Sequence, residues 1–135
     1  MREDIEEGLD LCLDFGKLSE IASQDVLPCA VQDANTAEVI LIAYVNDAAL
    51  DRAIKTRSAV FWSTSRDELW EKGSTSGETF EVVEIRVNCE QNSLVYRVRP
   101  RRGGICHTKN RGGEPRNCFY RQVNLDTAKL EFLDP

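Results

Sequence analysis

The chain has no apolar run long enough to cross a bilayer. The longest, VILIAYV at 39–45, has the length of a buried strand. The N-terminal MREDIEEG is too acidic for a signal or transit peptide, so the expected compartment is the cytoplasm and no membrane partner is expected. No two cysteines form a C-x-x-C pair and their total, five, is odd. A disulfide framework is therefore not indicated, and free thiols or metal ligands are favoured. No P-loop pattern is present, which argues against nucleoside-triphosphatase chemistry. No repeat, low-complexity tract or composition break divides the 135 residues, so a single domain over 1–135 is expected. A net charge of −6 argues against nucleic-acid binding by the surface as a whole.

What is present is unevenly placed. From Arg97 to Arg121 the chain carries eight bases and one acid, Glu114, whereas the remainder carries nine bases and 22 acids. The only histidine, His107, adjoins Cys106 inside this basic run. A solvated basic loop explains charge alone. The cysteines and histidine in the same segment point instead to a site that takes a metal and an anionic small substrate.

Hydrophobic patterning gives an α+β domain of mixed strands with two helices. Ile5, Leu9, Cys12 and Leu13 recur at helical spacing, with Leu18 and Ile21 extending the face. LPCAVQD is extended, DANTAEV a turn, and VILIAYV a buried strand. Asn46 is an N-cap before a second helix whose face is Leu50, Ala53 and Ile54. SAVFWST reads as strand and SRDELWEKGSTSGE as loop. TFEVVEIRVNC alternates, with Val83, Ile85, Val87 and Cys89 on one side. LVYRVR returns, the basic loop follows, and CFYRQV is a last strand before a polar tail.

Cys12 and Cys29 lie in apolar patterns and read as core residues. Cys89, Cys106 and Cys118 lie in polar loop or strand-end settings. Three thiolates with a fourth position open to water is the arrangement of a catalytic zinc site. His107 has the pKa range for proton transfer, and in an extended segment its side chain points away from that of Cys106. An acid/base role therefore fits it better than a ligand role. In FWSTSRDELWEKGSTSG, Trp62 offers a ring to stack on a base, and Arg66, Lys72, Ser76 and Gly77 offer groups for a phosphate.

Three blocks, FWSTSRDELWEKGSTSG, VNCEQNSL and CHT…CFYR, together resemble the phosphoribosyl-AMP cyclohydrolase family of histidine biosynthesis. DANTAEVILIAYVNDAAL resembles the family's strand-turn-strand-helix segment, so the likeness runs over about residues 26–123. It implies a small, intertwined α+β homodimer with one zinc ion per subunit at the interface. Cys89 of one chain and Cys106 and Cys118 of the other would be the ligands. It also implies hydrolytic opening of the N1–C6 bond of N1-(5-phosphoribosyl)-AMP, with His107 moving protons. Arg66, Lys72, Arg111, Arg116 and Arg121 are then candidate phosphate clamps. The family's D-C-D-x-D magnesium triplet is replaced by Asn88, Glu90 and Asn92, a weakened magnesium site with one formal charge. Glu78 and Phe80 stand where the family has histidine and glutamine, and the loop between Cys106 and Cys118 is longer than usual. These departures keep two alternatives open: a paralogue hydrolysing another nucleotide or N-heterocycle, and a non-catalytic zinc-stapled anion-binding module. Only 12 residues follow Val123, so the pyrophosphohydrolase domain sometimes fused to this family is not expected.

Overall fold

The computed structural model describes residues 6–11, 21, 23–73, 79–101, 108–114 and 116–135. The elements are β1 (Leu27–Asp33), β2 (Val39–Val45), α1 (Asp47–Thr56), β3 (Val60–Ser63), β4 (Glu68–Glu71), β5 (Phe80–Val87), β6 (Leu94–Pro100), β7 (Arg121–Val123) and β8 (Leu130–Phe132). The main sheet has the order β2-β1-β6-β5, with β1 and β6 parallel and the other pairs antiparallel. Two hairpins, β3–β4 and β7–β8, stand outside it. This is a small α+β domain built mostly of strands, and α1 is its one full helix among the described residues.

The core lies on one face of the sheet. Cys29 and Val31 of β1, Ala43 and Val45 of β2, and Tyr96 and Val98 of β6 are buried there against Ala49 and Ala53 of α1 and Val60 and Phe61 of β3. Phe61 stacks between Tyr96 and Trp70, at ring separations of 5.7 and 4.8 Å. Each aromatic pair of this kind adds about 0.5–1.5 kcal/mol beyond the area it buries.

Local chemistry explains the punctuation. Asp33 Oδ1 accepts from the backbone N–H groups of Asn35 (2.7 Å) and Thr36 (3.2 Å), which closes the β1–β2 turn. Asn46 caps α1 by accepting from Ala49 N–H at 2.9 Å.

Several expectations are corrected. The N-terminal pattern does not form one helix from Ile5 to Leu13: residues 6 and 7 are helical, but 8–11 are not. The Leu9 carbonyl is instead taken by Leu130 N–H at 2.8 Å, and 12–20 lie outside the described residues. The buried face of α1 is Ala49 and Ala53, not Ile54, which is exposed. β2 is an edge strand rather than a fully buried one, and Val39 and Ile42 are exposed on it. Residues 68–71 are strand β4, not loop, and the tail supplies β8. The strand read from CFYRQV begins only at Arg121, after CFY.

In β5 a register shift between Val82 and Glu84 inserts Val83. A one-residue insertion exchanges the faces of a strand. Phe80 and Val82 therefore point inward before it and Ile85 after it, while Val87 is exposed.

Candidate metal and substrate site

Cys89 and Cys118 are both exposed, and Cys29 is fully buried, as its apolar setting implied. Burial pushes the Cys29 thiol up to about 12, which keeps it protonated and chemically quiet. Cys106 and His107 lie outside the described residues, as do Ser76 and Gly77.

Cys89 stands in the turn after β5. That turn lies just beyond Val87, which pairs with Leu94; Leu94 pairs with Cys29, and Cys29 with Ala43. Cys118 is on the other side of the sheet, its backbone N–H donating to Ile40 O of β2 at 3.3 Å while Asn117 Nδ2 donates to Val39 O at 3.1 Å. The two cysteines therefore occupy opposite edges and opposite ends of the sheet. Three strand spacings alone amount to about 14 Å. Two sulfurs on one zinc ion, each about 2.3 Å from it, are at most about 4.6 Å apart. One chain cannot bring both to a single ion. Accordingly, no three His, Cys, Asp or Glu side chains among the described residues form a metal-sized group.

Asn88, Glu90 and Asn92 surround Cys89 in the same turn. Asn88 Oδ1 accepts from the N–H groups of Asn92 (2.9 Å) and Ser93 (3.0 Å), its Nδ2 donates to Asn92 Oδ1 (2.6 Å), and Asn92 Nδ2 donates to Glu90 Oε2 (3.3 Å).

The β3–β4 hairpin divides the residues read as one phosphate platform. Trp62 faces Leu69 near the tip, and its Nε1 donates to Gln24 Oε1 at 3.3 Å. Arg66, in the tip, donates from Nε to Ser63 Oγ at 3.2 Å and lies 3.6 Å from Glu68. Lys72 is at the base, its Nζ 5.2 Å from the centre of the Phe80 ring. Trp62 lines a cleft of about 410 Å³ together with Gln24, Asp25, Asn46 and Asp47. Sequence reasoning read Asn46 and Asp47 as helix-capping groups only, and nothing in the pattern marked Gln24 or Asp25.

The basic run proves largely structural. Arg97 donates to Glu84 (2.9 Å), Gln32 (3.2 Å) and Ala34 O (3.3 Å). Hydrogen bonds from Arg86 and Arg97 hold the Glu84 carboxyl below its ordinary range. Arg101 donates to Ser58 Oγ (2.9 Å) and Arg57 O (3.1 Å). Arg116 is buried, with its guanidinium carbon 3.6 Å from the centre of the Tyr120 ring; it donates to Thr108 Oγ1 (3.2 Å), Asp134 O (3.0 Å) and Glu7. It is a framework residue, not a phosphate clamp. Arg121 donates to Gly8 O at 2.8 Å. The side chains of Lys109 and Arg111 line a cleft of about 340 Å³ with Glu7, Asn110 and Phe132.

Arg101 N–H donates to Thr79 O at 2.9 Å, so the two described residues that border 102–107 and 74–78 are neighbours.

The model of the family described as phosphoribosyl-AMP cyclohydrolase matches residues 41–120, a span that includes Cys89, Cys106, His107 and Cys118. The chain is 42% identical over 130 residues to the phosphoribosyl-AMP cyclohydrolase of Halobacterium salinarum, covering 96% of both chains. It is 37% identical over 131 residues to that of Chloroherpeton thalassium, covering 95% of this chain and 86% of the relative. With the histidine biosynthesis bifunctional protein HisIE of Thermus thermophilus it shares 49% identity over 108 residues, 80% of this chain and 48% of the relative. The chain belongs to the phosphoribosyl-AMP cyclohydrolase family.

Proposed function

We propose that the protein is the zinc-dependent phosphoribosyl-AMP cyclohydrolase of a histidine pathway, hydrolysing the N1–C6 bond of N1-(5-phosphoribosyl)-AMP as a homodimer. The observation that carries the site is the separation of Cys89 from Cys118 across one sheet. Exposed cysteines so arranged serve one ion only when a second copy supplies one of them. A second copy is also supported by the sheet face opposite the core. Along one row it presents Ile42, Ala30 and Val95, and Ile42 is 57% exposed.

Cys89 of one chain and Cys106 and Cys118 of the other would hold zinc, which would supply Lewis-acid activation of a water. The remaining work falls to side chains. His107, adjoining a ligand, takes and returns protons as the ring opens. Trp62 provides a face for the purine. Arg66 and Lys72 lie at opposite ends of the β3–β4 hairpin; the four residue steps from Glu68 to Lys72 alone span about 13 Å. That distance suits two separate phosphates better than one.

The reading is tested by ring opening of the N1-phosphoribosyl nucleotide, followed by absorbance. His107→Ala should lower kcat by about two to four orders of magnitude with zinc content unchanged. Cys118→Ser should lose zinc, and full retention overturns the ligand set. The internal commitments of Arg116 and Arg121 favour a second reading, a relative acting on a substrate with fewer phosphates. Zinc-loaded protein that does not turn over the bisphosphorylated nucleotide would select it.

A further inference from the structure

Residues 88–92 are the turn at which a divalent cation is expected from the family's carboxylate triplet, and their geometry does not suit one. Asn88 Oδ1 is fixed by two backbone donors, Asn92 N–H and Ser93 N–H. Its amide cannot be reversed, because nitrogen cannot accept those bonds. Nδ2 is therefore directed at Asn92 Oδ1, 2.6 Å away, and Asn92 Nδ2 is directed at Glu90. The backbone is tied as well: Asn88 N–H donates to Ser93 O (3.2 Å), and Asn88 O accepts from Gln91 N–H (3.0 Å), with Gln91 at φ 56°. A cation here would meet two N–H dipoles and oxygens already engaged. A hard cation needs several free oxygens and gains affinity with their charge.

We infer that the Asn88–Asn92 amide pair does in this chain what a bound cation does between carboxylates: it holds the Cys89 turn closed. Asn88 and Asn92 are positioning residues for Cys89, and the turn is independent of Mg²⁺. With two aspartates, the 2.6 Å contact becomes carboxylate against carboxylate beside Glu90, which stays closed only with a cation between them. A single Asn88→Asp change is less informative, since the Asn92 amide can turn to donate to the new carboxylate.

The test uses purified, zinc-loaded dimer without substrate. Mg²⁺ is titrated calorimetrically, and melting temperature and zinc content are read with and without millimolar MgCl₂. The wild type should give no binding heat attributable to the turn and no shift in either readout. Asn88→Asp/Asn92→Asp should melt several degrees lower without Mg²⁺ and recover with it, with Mg²⁺ affinity raised about tenfold or more. Should the double variant fail to fold, Asn92→Asp keeps the Asn88 hydrogen bond and provides the same comparison at smaller amplitude. The inference is overturned by tight Mg²⁺ binding to the wild type that Glu90→Gln removes, or by a double variant as stable without Mg²⁺ as the wild type. It rests on the zinc reading only for the zinc-content readout. Zinc retained in Cys89→Ser would remove the ligand role and leave the Mg²⁺ and melting results to stand or fall alone.

Discussion

The turn that carries Cys89 and the segment that carries Cys118 are supported by different physics. Cys89 leaves the end of a four-stranded sheet whose inner face buries Cys29, Val31, Tyr96 and Val98. Cys118 belongs to a polar assembly, in which Arg116 lies against Tyr120 and Phe132 and ties Glu7, Thr108 and Asp134 together. Tyr120 adds a hydrogen bond to Glu6 O, and Arg121 one to Gly8 O. Apolar burial is spread over many small contacts, whereas a hub of directional bonds depends on its centre. The two halves of the candidate zinc site should therefore fail separately.

The largest effect is expected at the hub. Arg116→Ala removes the donor to Thr108 Oγ1 and Asp134 O and empties space under Tyr120, which should cost about 2–4 kcal/mol. Chemical denaturation measures this loss. Amide exchange should show it concentrated in 108–134, with β1 and β6 protected; uniform loss would mean that the two regions are one cooperative unit.

Next in size is a pH effect confined to the sheet. The Cys29 thiol is raised from 9.0 to about 12 by burial, so the folded protein keeps its proton where the unfolded chain releases it. Stability from this group is present below pH 9.0 and is lost as pH rises toward about 12. The slope of unfolding free energy against pH in that window should be shallower in Cys29→Val. Tyr96, also raised by burial, contributes the remainder. An unchanged slope would assign the alkaline loss elsewhere.

The smallest change is at a helix end remote from both cysteines. Asn46→Ala removes the cap on Ala49 N–H and should cost about 1 kcal/mol by thermal melting. Zinc content should not respond.

What the sequence revealed divides along the same line. Strands β1, β3 and β6, the extent of β2, the cap at Asn46 and the core position of Cys29 follow from local pattern and are found as read. Val83 could not be read as an insertion, because a bulge is set by the partner strand and not by alternation within β5. Arg116 looked like a clamp because charge is visible in a sequence and burial is not, and Arg121 is found bonded to Gly8 O. Their partners, Glu7 and Gly8, are 109 and 113 positions away. The hairpin that separates Arg66 from Lys72 was hidden by the polar composition of β4, whose residues are half-exposed or fully exposed. Of the candidate site, Cys89 and Cys118 stood out in the sequence by their polar settings; their placement on opposite edges came only from the strand order.

The reach of Arg116 also sets an order of assembly during synthesis. The ladder from β1 to β6 needs nothing beyond Pro100, so it can close while later residues are still in the ribosome. The Cys118 segment has no such freedom, because Arg116 bonds the carbonyl of Asp134 as well as Glu7. Its shape is completed only once residue 134 has emerged. A nascent chain thus owns a finished Cys89 turn before it owns a finished Cys118 segment, and a metal site built on both, as proposed above, would form only after residue 134 is available.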